Sequence, residues 1–198
     1  MANMENNNEV GVQQVTPSPF PTPSNVGAAL NDLLLSIANE ENALANLIDA
    51  EANKILRART ALTPNAADLA NLNDVVESAE RLLRTIVKKN IVLETKTEEV
   101  LDSAAALAGR PDLGVVIGSL LTGLVAVLGS IANEEFRLGD LIDELAGVIN
   151  RASQVAVNTD QLIAANDVVN STLRSIIKKE IVLETKMQDV LEFIERFT

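Results

Sequence analysis

The chain has 198 residues, a formal net charge of −12, 47% hydrophobic and 2% aromatic residues, and no Cys, His, Trp or Tyr. That length supports one domain with a full core, and the composition makes the core one of Leu, Ile, Val and Ala, as in helix bundles. The missing Cys and His exclude disulfides, thiolate chemistry, zinc-thiolate sites and the commonest general base. The negative charge, with no basic run longer than Lys88-Lys89 or Lys178-Lys179, excludes nucleic acid as a partner.

Residues 1–24, polar and then proline-rich, read either as a disordered tail or as an extended arm that lies on a neighbouring subunit. The start, Met-Ala-Asn-Met-Glu-Asn-Asn-Asn-Glu, lacks the basic and apolar runs of a secretory signal, which predicts synthesis and retention in the cytoplasm. Thr16 to Pro23 is proline-rich and favours polyproline II, with Val10, Val12, Val15 and Phe20 as apolar anchors for another subunit. A first hairpin is expected over 25–108. Its first helix runs from Val26 to Arg59 on the stripe Leu30, Leu34, Ile37, Leu44, Ile48, Ile55. After Thr63-Pro64, its second runs to about Leu107 on the seam Leu72, Ala79, Ile86, Leu93, Val100, and Gly109-Arg110-Pro111 stops it.

A second hairpin is expected over 109–198. Its first helix ends near Val157, and Asn158-Thr159-Asp160 caps a last helix with the seam Leu162, Val169, Ile176, Leu183, Val190, Phe197. Seven-residue seams and short connections predict an all-α, up-down-up-down four-helix bundle of antiparallel helices.

The two hairpins repeat one another. Ser36-Ile37-Ala38-Asn39-Glu40-Glu41 returns at Ser130 to Glu135, and Ile91-Val92-Leu93-Glu94-Thr95-Lys96 returns at Ile181 to Lys186. Continuing the stripes places Glu41, Asn90, Glu135 and Glu180 on the apolar seams, one per helix. A carboxylate from each helix is the layout of a di-iron site, but such sites need Glu-x-x-His pairs and the chain has no His. The expectation is therefore a polar layer that fixes register, with no metal or other cofactor, drawing on Lys88, Lys89, Lys178 or Lys179. Those lysines also stand at spacings that favour solvated ion pairs with Glu94 and Glu184 on their own helices. No catalytic constellation is present, and no enzyme is expected.

The stretch 113–133 carries no charge. Its length fits a membrane span, and Gly114-x-x-x-Gly118 is a close-packing motif in such helices, which makes a membrane-active, pore-forming protein the alternative reading. Against it, there is no aromatic belt and no basic flank beyond Arg110. Aligned on the repeat, Val125-Ala126 replace Asn31-Asp32, so a solvent-facing pair has turned apolar. That predicts a subunit contact through Gly114, Gly118 and Val125.

The segment Leu34-Leu35-Ser36-Ile37-Ala38-Asn39-Glu40-Glu41-Asn42-Ala43-Leu44-Ala45-Asn46-Leu47-Ile48-Asp49-Ala50-Glu51, echoed from Leu128 to Glu144, resembles helical segments of spore-surface and parasporal structural proteins of Bacillus-type spore formers. Such segments can accompany collagen-like regions, but no Gly-X-Y run occurs here. The resemblance implies a structural protein of the mother cell, the spore surface or a parasporal body, with no catalytic residues to carry over. The expected function is self-assembly with copies of itself into a fibre or lattice through the arm and the third helix.

Overall fold

The computed structural model describes residues 23–62, 66–107 and 113–197, which form four long helices: α1 (Pro23–Ala61), α2 (Ala66–Ala106), α3 (Leu113–Val155) and α4 (Thr159–Phe197). Each follows an apolar stripe of helical period, and the predicted seam of α2, from Leu72 to Val100, is buried throughout. Asn158 caps α4, its Oδ1 accepting the Gln161 N–H at 3.0 Å, while the Gln161 side chain reaches back to the Val157 N–H at 2.9 Å. The carbonyl of Leu62, just past α1, accepts from Arg151 at 2.6 Å. The predicted breaks at Thr63-Pro64 and Gly109-Arg110-Pro111, and the arm residues Val10, Val12, Val15 and Phe20, lie outside the described residues.

Helix direction alternates along the chain, but the closest packing joins equivalent helices of the two hairpins, and these run parallel. Asn42 meets Asn133, Asp49 meets Arg137 and Arg59 meets Glu144, numbers rising together along α1 and α3. On α2 and α4 the numbers also rise together, Glu80 against Ser171 and, farther along, Glu98 against Asp189. Within the first hairpin the sense is opposite, Lys54 against Ser78 and Glu40 against Lys89. The order around the bundle is α1, α3, α4, α2. A seven-residue seam fixes shallow packing without fixing its direction, which is why the expected antiparallel partners are not the principal ones.

Small residues bring α1 and α3 together. A Cβ on Gly123 would stand 2.7 Å from the Leu34 Cβ, and one on Gly27 would meet Ser119 Oγ. At this close approach Asn31 Oδ1 accepts the Gly123 N–H at 2.8 Å. Asn31 is therefore half-buried against α3 and does not face solvent as the repeat alignment implies; Asp32 is exposed. Leu162, expected on the α4 seam, is exposed, because it lies at the rim of the bundle where its neighbours are exposed too; burial begins at Ala165.

Candidate functional site

Two features stand apart from ordinary packing: a charged layer inside the bundle and an uncharged stripe outside it. The layer holds Glu41, Asn90, Ser130, Glu134, Lys179 and Lys186, all buried. Lys186 of α4 is ion-paired with Glu41 of α1, whose other oxygen accepts from Ser130 of α3. Lys179 of α4 is ion-paired with Glu134 of α3, and Asn90 of α2 donates to the same Glu134 oxygen at 2.9 Å. Two lysines answer two carboxylates, as buried charge requires.

Burial pushes the Lys179 ammonium down to about 8, with Glu134 pulling the other way. It raises the Glu134 carboxyl above the usual range despite Lys179 and Asn90. Among the described residues nothing donates a hydrogen bond to Asn90 Oδ1 or Glu134 Oε1.

Of the four residues expected in this layer, Glu41 and Asn90 are buried, whereas Glu135 and Glu180 are exposed. The interior places belong to Glu134 and Lys179, one residue earlier in each case. The cause is phase. In α1 the hexapeptide buries Ile37, Ala38 and Glu41; in α3 the identical hexapeptide buries Ser130, Ile131 and Glu134. One residue is about 100° of rotation, so transferring positions from one copy to the other points a side chain out of the core. Lys88 and Lys178 are exposed, and Lys89 pairs across the hairpin with Glu40 at 2.5 Å, drawing the Glu40 carboxyl down. Among the described residues no ion pair joins these lysines to Glu94 or Glu184; Lys89 and Lys179 pair between helices instead, while Lys88 and Lys178 are in no ion pair.

The stripe runs along the outer face of α3. Leu121 is 52% exposed, Val125 58% and Phe136 63%. Gly118, Gly129 and Gly139 face open space, with nothing within 4 Å of where a Cβ would stand. Gly118 thus makes no close approach inside the bundle; that part belongs to Gly27 and Gly123. The surroundings of Gly114, in the first turn of α3, are not among those described. Among the described residues α3 is the one helix long and apolar enough to cross a membrane, and 39% of its most apolar window is buried within the bundle.

A third cluster was missed by sequence reasoning, because its members come from both α2 and α4. Carboxylate oxygens of Glu94, Glu98 and Asp189 lie within 4.8 Å of one another. Burial, then repulsion from Glu98, raises both Glu94 and Asp189. No nucleophile is paired with a base there.

Residues 25–104 and 124–194, most of the chain and the greater part of both hairpins, match the alpha-helical endospore appendage domain. No curated protein and no solved structure matches the chain.

Proposed function

The chain belongs to the alpha-helical endospore appendage family, a family of structural domains, not of enzymes, and from that premise we propose that it is the self-assembling subunit of a spore-surface fibre. The protein is a spore-associated structural appendage protein. The mode of assembly is our reading: subunits join through the outer face of α3 around Gly118 and Val125 and through the arm 1–24 with Val10, Val12, Val15 and Phe20. Gly114 would extend the α3 contact by one helical turn.

The observation that carries it is the stripe itself. Leu121, Val125 and Phe136 stand on the surface of a chain with 28 acidic residues, along a face whose glycines leave room for another backbone. A contact between that face and a different element of the next subunit is heterologous, and repeats into an open polymer unless rotation closes it.

Negative-stain imaging of Leu121→Glu/Val125→Glu beside the wild type tests the reading. The expected result is loss of fibres with helicity and melting temperature unchanged; fibres of unchanged form would overturn it. Dye release from liposomes by the wild type would favour the membrane-active alternative, which the length and hydropathy of α3 alone support.

A further inference from the structure

Where α2 and α4 run side by side, charge is sorted along their shared seam. Arg84 and Lys88 of α2 and Arg174 and Lys178 of α4 line a groove of about 430 Å³. The chain has 16 basic residues against 28 acidic ones, so four in one groove is a local inversion of its charge. Arg84 is held by Glu80, but among the described residues Lys88, Arg174 and Lys178 have no ion-pair partner. Farther along the same seam, Glu98, Asp102, Asp189 and Glu192 line a second groove of about 330 Å³, with Arg196 at its edge. Among the described residues Glu98, Asp102, Asp189 and Glu192 form no ion pair, and nothing donates a hydrogen bond to the buried Asp189 Oδ2. Between the grooves stand Ile91, 47% exposed, and Ile181, 57% exposed.

The groove centres are separated by roughly 14 residues of continuous helix, about 20 Å at 1.5 Å per residue. An apolar saddle flanked by opposite charges at a fixed spacing complements itself when turned end for end. We propose that this seam docks a second copy of the chain, antiparallel about a two-fold axis through Ile91 and Ile181, each acidic groove covering the partner's basic one.

This rests on the reading of the protein as a self-assembling subunit and adds to it an isologous contact that would join fibres or subunits side by side. A parallel, staggered arrangement would satisfy one groove per contact; the two-fold satisfies both in one interface. The isoleucines supply apolar burial at the centre. The charges set register and disfavour in-register parallel docking, which would set basic groove on basic groove and acidic on acidic.

The test uses full-length protein in sedimentation velocity at low and high salt, with negative-stain imaging in parallel. Arg174→Glu/Lys178→Glu and Glu98→Lys/Glu192→Lys change exposed side chains and should each weaken pairing by about tenfold or more. Mixing the two variants in equal amounts should restore it, because each supplies the charge the other lacks. Wild-type pairing should weaken with salt. Unchanged pairing in both variants, or no recovery on mixing, would overturn the proposal, as would pairing that chelator abolishes and a divalent cation restores, which would make the acidic groove a cation site. Fibres without the salt-sensitive pair would sink the seam contact alone; the pair without fibres would sink the fibre reading alone.

Discussion

The two hairpins share sequence and divide labour. The first places one charged group in the core layer, Glu41, beside the neutral Asn90; the second places Glu134, Lys179 and Lys186 there. Counted as ionised, the first contributes −1 and the second +1. Unlike hairpins sum to zero, whereas two first copies would bury −2 and two second copies +2. Buried unpaired charge is expensive, so the layer favours the pairing of unlike halves. The two hairpins share a shape, and the residues each turns inward, Glu41 and Asn90 in the first and Glu134, Lys179 and Lys186 in the second, make unlike halves the better match.

The widest gap between the copies should appear at Lys186 and its sequence equivalent Lys96. Lys186→Met strands Glu41 in the core and should cost about 3–5 kcal/mol. Lys96→Met removes an exposed lysine 3.6 Å from Glu40 and should change stability by less than about 0.5 kcal/mol. Chemical denaturation of both variants makes the comparison, and equal effects would break it.

Next in size is the contrast of two glycines on α3. Gly123→Leu drives a side chain into Leu34 and Asn31 and should destabilise by about 1–3 kcal/mol or more. Gly118→Leu meets open space and should leave thermal stability nearly unchanged while weakening fibre formation. Melting curves and imaging of the same preparations separate the two effects.

A smaller effect is written in pH. Lys179 has its folded pKa lowered from 10.5 to about 8. Between those values the unfolded chain binds more protons, so this group's contribution to stability rises with pH across the window. Glu134 is raised in the folded state, so its contribution falls as pH climbs above 4.5 toward its folded value. Lys179→Met/Glu134→Leu should remove both slopes, and denaturation across the alkaline window should show the wild type gaining relative to it. The smallest effect belongs to the surface: Arg81→Ala breaks an exposed pair with Glu77 at 3.6 Å and should change stability by a few tenths of a kcal/mol.

Four helices, their stripes and the cap at Asn158 were legible because each depends on local chemistry that the chain states directly. Parallel packing of equivalent helices was not, since an apolar seam carries no sign of direction. Glu41 and Asn90 were found from the stripe, yet Glu134 and Lys179 were missed in favour of their neighbours. A stripe that steps by three or four leaves a choice of one residue at every turn, and the repeat resolves that choice wrongly when the copies differ in phase. The exposed Val125 was visible as an apolar replacement, although its counterpart Asn31 is an interhelix acceptor. Glu98 and Asp189 could be joined only by the packing of α2 on α4.

If subunits join through the outer face of α3, that face is covered in the assembled appendage. Cryo-electron microscopy of fibres grown from the full chain tests it most directly. Leu121, Val125 and Phe136 should be buried under a neighbouring subunit with its backbone close to Gly118; a fibre in which that face remains open to solvent would rule the contact out.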